Sequence, residues 1–147
     1  MLIILLDIWG KIDILFNNAG VELLKSIEET SIEDLNRVID INLKGTYFVT
    51  KLAIKYIMRQ KGVIVNHSSG AGFGGGIIAL TKSLAAEYAP RVRVNCICPG
   101  YIKTPMYDRV EGQDNSINPS ELVPLNRLGK AEEVAEAVIF LTSERAS

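Results

Sequence analysis

The chain has 147 residues, 48% hydrophobic and 22% charged, with 16 basic and 17 acidic side chains and a formal net charge of −1. That length suffices for one domain with a substantial core, and the composition excludes a disordered polymer. The charge balance gives no basic excess for nucleic acid and no like-charge tail.

In chain order, "MLIILLDIWG" opens with an apolar run from Met1 to Leu6 that Asp7 interrupts. It is too short to span a bilayer, and it has neither the positive start nor the small-residue cleavage site of a secretory signal. "KIDILFNNAG" is a short β-type run closed by a polar turn, which predicts a buried strand over 12–17 and then a loop. From Ser31, a plausible N-cap with Asp34 three residues on, a helical pattern runs to about residue 60 through Ile32, Leu35, Val38 and Ile39, then Leu43, Leu52 and Ile57. Gly45 lies inside that pattern, where glycine costs about 1 kcal/mol against alanine, so a local reason for it is expected. Gly62 is read as the stop.

"VIVNHSS" (63–69) predicts a second strand, "IIALTKSLAAEYA" (77–89) a helix ended by Pro90, and "VRVNCICPG" (92–100) a third strand. Cys96 and Cys98 alternate onto one face of that strand, where they cannot readily form a bridge. They read as two small packed hydrophobes in a cytoplasmic protein. Residues 101–126 turn polar and irregular, the pattern of a substrate lid. "KAEEVAEAVIFLTSERA" (130–146) predicts a last helix with Val134, Val138 and Leu141 on one stripe.

The alternation of strands and helices predicts a single α/β domain over 1–147, a doubly wound parallel sheet covered on both faces. Ligands in such sheets bind beyond the carboxyl ends of the strands. Those ends are Asn17–Gly20, Asn66–Gly70 and Cys98–Thr104.

"GAGFGG" (70–75) matches the G-x-G-x-x-G dinucleotide fingerprint between a strand and a helix. The fingerprint expects an acid at the end of the next strand, and "VRVNCI" has none. A flexible loop is the better reading of this glycine tract.

Five segments fit another pattern: "NNAG" (17–20), "INLKG" (41–45), "VIVNHSS" (63–69), "RVNCICPGYIKT" (93–104) and "PLNRLGKAEEVAEAVIFLTSE" (124–144). In this order they resemble the short-chain dehydrogenase/reductase family over almost the whole chain. The resemblance implies a Rossmann-like fold, NAD or NADP as cofactor, and hydride exchange between a secondary alcohol and a carbonyl of a small molecule. It implies that Asn17, Ala19 and Gly20 form the turn beside the adenine-ribose side of the cofactor and steady the sheet. Asn42 matches the asparagine whose carbonyl holds a water of the proton relay, and Ser69 the serine that bonds the substrate oxygen. Pro99, Gly100, Ile102 and Thr104 match the segment that packs on the nicotinamide and bonds its carboxamide. A homodimer or homotetramer through the helices at 31–60 and 77–89 is implied as well. No metal, membrane or nucleic acid is expected, and His67 matches a variable position to which no role is assigned.

The departures are as informative. The family places a tyrosine about thirteen positions after that serine and a lysine about one helical turn farther on, but position 82 is Lys82 and "IIALTKSLAAEYA" resembles the helix beyond that lysine. The segment carrying Y-x-x-x-K is thus missing between Ser69 and Ile77, and with it the acid-base partner of hydride transfer. "YFVTK" at 47–51 satisfies the spacing, yet it lies in the wrong helix and reads as a structural pair. The family's first two to three βα units, about 60–75 residues at roughly 30 per βαβ unit, would precede "GKIDILFNNAG". A last strand would follow Ser147. Three accounts stand: a sequence with segments left out, a truncated inactive remnant, and an α/β interaction module. As it stands the chain is expected to be inactive.

Overall fold

In the computed structural model, which describes residues 2–70, 75–111 and 123–147, helix α1 (Leu2–Trp9) leads into strand β1 (Ile14–Asn17). A near-continuous helical stretch follows: α2 (Ile32–Val38), a π-helical turn over Ile39–Lys44, α3 (Gly45–Ile57) and a 3-10 turn over Met58–Gln60. Then come β2 (Val63–His67), α4 (Gly76–Tyr88), β3 (Arg93–Ile97), β4 (Ile102–Lys103), α5 (Pro105–Glu111), β5 (Gly129–Lys130) and α6 (Ala131–Thr142). A 3-10 turn over Glu144–Ala146 closes the chain.

Strands β1, β2 and β3 lie side by side in that order and all parallel, with Ile14 opposite Val63 and Val63 opposite Arg93. Alternation sends their side chains to two faces. On one, Leu15, Ile64 and Val94 pack with Ala53 and Ile57 of α3 and Leu84 of α4. Burial of a side chain such as Ile57 or Ile64 contributes about 1.5–3 kcal/mol. On the other face Val63 and Val65 are buried, and α6 lies against β2 and β3. Arg93, opposite Val63, donates from its guanidinium to the carbonyls of Leu141 (2.8 Å), Ser143 (3.0 Å) and Ala146 (3.2 Å), so it closes the carboxyl end of α6. Helices on both faces confirm the doubly wound arrangement.

Local chemistry sets the boundaries. Ser31 Oγ accepts from the Asp34 backbone N–H at 3.0 Å, the N-cap read from the sequence. The Gly45 N–H bonds the Asp40 carbonyl five residues back, which makes the π turn, but a Cβ there would make only an ordinary contact, so nothing local requires glycine. The stop at the end of α3 is different from the one expected. Lys61, at φ 52°, takes the left-handed conformation, and Gly62 is needed for another reason. A Cβ at Gly62 would overlap the Asp13 carbonyl, because the chain enters β2 tight against the start of β1.

Two further elements add to the sequence reading. The opening segment is helical and ends at Gly10, whose φ of +68° suits glycine. The expected lid is not wholly irregular: it contains β4, which pairs in parallel with β5, and α5, which starts at Pro105. Residues 112–122 of that lid and 71–74 of the glycine tract lie outside the described residues. No helix among the described residues is long and apolar enough to cross a membrane. Cys96 and Cys98 are both free thiols, and burial, then the neighbouring Cys98, pushes Cys96 up to about 11.

Candidate active site

The carboxyl ends of the three strands are tied together by side chains and by backbone. Asn17 and Asn66 stand opposite each other in register, and Asn17 Nδ2 donates to Asn66 Oδ1 at 2.9 Å. Asn17 Nδ2 also donates to Thr50 Oγ1 of α3 at 3.0 Å. Asn66 Nδ2 donates to Thr81 Oγ1 of α4 at 2.9 Å, and Thr81 in turn donates to the Ile77 carbonyl at 2.7 Å. All four side chains are buried, so each bond is made where water cannot replace it. Asn17 therefore serves the sheet with its side chain.

Beyond the strands the parallel pairing continues. The Ser68 N–H donates to the Ile97 carbonyl at 2.9 Å and the Gly70 N–H to the Pro99 carbonyl at 2.8 Å. This extended ladder carries Ser69, which is exposed, beside the Pro99–Gly100 turn. On the other flank, His67 Nδ1 lies 2.7 Å from Asn18 Oδ1, and the imidazole stacks on Phe16 at 6.1 Å between ring centroids. Burial holds its pKa below the ordinary 6.5, so the ring is neutral near pH 7.

Asn42 sits in the π turn and reaches back to the loop after β1. Its Oδ1 accepts from the Val21 N–H and its Nδ2 donates to the Val21 carbonyl, both at 2.8 Å. Its own carbonyl accepts from Thr46 Oγ1 at 2.9 Å. Ala19 and Gly20 are exposed between Asn17 and that clamp, and Gly20 lies alongside the Asn42 amide. Ile102 belongs to β4 and packs against Gly129. Thr104 precedes Pro105 of α5, and its Oγ1 accepts from the Tyr107 N–H at 3.4 Å.

The strand-end segments carrying Asn17, Ala19, Gly20, Ser69, Pro99 and Gly100 thus meet at one edge, with Asn42 bracing the first of them. Ile102 and Thr104 follow in the segment that leaves it. Tyr47 and Lys51 are elsewhere: they line a cavity of about 240 Å³ between α3 and α4, against Glu87 and Tyr88 in the last turn of α4. Thr50 and Thr81 escaped the sequence reading, and Asn66 enters it only as a strand end, although a polar residue inside the apolar run "VIVN" is a signal of a paired buried amide. No group of three or more metal-ligating side chains occurs among the described residues.

A family model described as enoyl-(acyl carrier protein) reductase matches residues 4–147. The 3-oxoacyl-[acyl-carrier-protein] reductase FabG of Thermotoga maritima is 39% identical over 153 residues, covering 95% of this chain and 62% of its own. The solved aldohexose dehydrogenase of Thermoplasma acidophilum, in ligand-free form, matches at TM-score 0.87 and 37% identity, over 97% of this chain and 65% of its own. ElxO with NADP bound matches at TM-score 0.88 and 32% identity, over 97% and 64%. The chain belongs to the short-chain dehydrogenase/reductase family.

It spans a little under two-thirds of the length of these relatives. The FabG alignment covers 153 positions, whereas 95% of 147 residues is about 140, so about 13 of its positions have no residue in this chain.

Proposed function

We propose that this chain is part of an NAD(P)-dependent oxidoreductase that interconverts a secondary alcohol and a carbonyl. The observation that carries the reading is the bonded ladder from Ser68 to Gly70 along Ile97 to Pro99, which sets the Ser69 segment beside the Pro99–Gly100 turn at the ligand-binding edge of the sheet. Ser69 would donate to or accept from the substrate oxygen and orient it. Asn42 would hold the loop that walls the site and offer its carbonyl to the proton relay.

The small residues leave room for the flat nicotinamide ring and the ribose of a dinucleotide. Ala19 and Gly20 leave backbone exposed at the end of β1, and a Cβ at Gly100 would meet nothing within 4 Å. Those residues, with Pro99, Ile102 and Thr104, would hold the ribose and nicotinamide parts of NAD or NADP, which supplies or accepts the hydride when bound. The FabG, aldohexose dehydrogenase and NADP-bound ElxO relatives support this class of chemistry without naming the substrate.

Because the sequence has no Y-x-x-x-K after Ser69, the proton step lacks its usual partner, and turnover by this chain is expected to be undetectable. The same lack, with the alignment positions that have no residue here, favours a second reading as a non-catalytic α/β module. Exposed Tyr47, Phe48, Val49 and Leu52 on α3 support a dimer or tetramer through the long helices in either case. The two free thiols support a cytoplasmic setting. Fluorescence titration with NADH and NADPH decides between the readings. Saturable binding of either supports the oxidoreductase, and none at millimolar concentration even for a full-length preparation leaves the module.

A further inference from the structure

A cavity of about 510 Å³ opens between the loop at residues 21–25, Arg37 of α2 and Arg109 of α5. Its size falls within the range of small-molecule sites. Its first wall residue is Val21, which the Asn42 amide clamps through both backbone groups, so the cavity begins one residue beyond Gly20 and adjoins the proposed reaction edge.

The wall carries three cations and one anion. Lys25 is committed: its ammonium lies 2.6 Å from Asp34. Arg109 is loosely held, with Nε 3.7 Å from Glu22, too long for a hydrogen bond. Arg37 has no acidic partner among the described residues, and it is exposed. Nor is it answered by a helix terminus, since α2 runs straight into the π turn and α3, and its carbonyls are bonded within the helix. A guanidinium in no ion pair, lining the same cavity as a second that is weakly engaged, can grip a planar or tetrahedral oxyanion.

We infer that this cavity takes the anionic end of the substrate, a carboxylate or a phosphate. Arg37 anchors it, and Arg109 exchanges Glu22 for the ligand. That the ligand is the substrate rests on the oxidoreductase reading; the anion site itself rests on the cavity and its charges.

The test uses calorimetric titration of the 147-residue chain at low ionic strength with 3-hydroxybutyrate, glycerol 3-phosphate and the neutral butane-2,3-diol. At least one anion is expected to bind saturably and the diol far more weakly, and the preferred anion identifies the group. Arg37→Ala is expected to weaken anion binding about tenfold, the value of one charged hydrogen bond, and Arg37→Lys to restore part of it. Added salt should weaken it further. Arg37 lies outside the core, so circular dichroism should show these variants folded. Equal binding of diol and anions, no anion binding, or anion binding unchanged in folded Arg37→Ala would overturn the site. NADH and NADPH titration of the same sample separates the two ideas. Anion binding without cofactor binding leaves the anion site standing apart from the oxidoreductase reading, and cofactor binding without anion binding removes the anion site alone.

Discussion

Asn17 and Asn66 are register partners on adjacent parallel strands, and a 2.9 Å bond between their amides crosses the buried sheet. Asn66 is completely inaccessible to solvent, so both of its polar atoms depend on protein partners. Replacing it by leucine removes two buried bonds, leaving Asn17 with Thr50 and Thr81 with the Ile77 carbonyl as their remaining partners. The expected cost of Asn66→Leu is about 2–4 kcal/mol, read as a lower urea midpoint. In the double variant with Asn17→Leu the two losses should be clearly less than additive, because each single change already removes the bond the two amides share. Additive losses would mean that the amides do not work as a pair.

Adjacent positions at the end of α3 should respond in opposite directions. Lys61→Gly relieves a left-handed side-chain residue and should stabilise by up to about 1 kcal/mol after the entropy of glycine is counted. Gly62→Ala drives a methyl group into the Asp13 carbonyl and the Ile57 side chain, and should destabilise by about 1–3 kcal/mol. Thermal melts of the two variants side by side check the pair of signs.

The entry to α6 carries the pH dependence. Arg127 forks onto both carboxylate oxygens of Glu133 at 2.8 and 2.7 Å, and the Lys130 N–H donates to Glu133 at 2.8 Å. These partners, Arg127 first, lower the Glu133 pKa from 4.5 to about 2. A depressed carboxylate stabilises the fold above its unfolded pKa, and the effect is lost as pH falls through the folded value. Wild type should therefore melt above Glu133→Gln at pH 6, with the gap shrinking below about 4.5 and closing near 2. A gap that stays constant from pH 6 to 2 would remove this account.

Asn42 should behave as a brace for the loop after β1. Asn42→Ala leaves the Val21 N–H and carbonyl without their partners, at an expected cost of about 1–2 kcal/mol. Hydrogen exchange at the Val21 amide should accelerate strongly while that of Ile64, in the core of β2, changes only with global stability. Equal acceleration at both amides would show that Asn42 supports the whole fold instead of this loop.

Much of this was legible in the residues. The three strands announced themselves as short β-branched runs closed by "NNAG", "NHSS" and "CPG", and the Ser31 cap was read from its spacing to Asp34. The π turn was not, since Ile39, Leu43 and Ile57 fit an unbroken helical period and one bond of different length leaves no compositional mark. The Lys61 turn was misassigned because a neighbouring glycine offered the easier explanation. Helix α1 is a short apolar run broken only by Asp7 and so has no period to detect. Strands β4 and β5 are two residues each, too short for alternation. The ties among Thr50, Asn17, Asn66 and Thr81 join positions far apart in the chain, and only the register of the sheet brings them together.

One pair of anchors has a consequence for engineering. Gly70 is fixed to Pro99, and Thr81 fixes the first turns of α4 to Asn66, so the stretch from 71 to 75 connects two points that the sheet already holds. A graft of about a dozen residues carrying Tyr and Lys at that junction would lengthen the path between fixed posts, and loop closure makes such lengthening cheap, roughly 0.6 kcal/mol per doubling. The junction is therefore expected to accept an insertion with the anchors at Gly70 and Thr81 left in place.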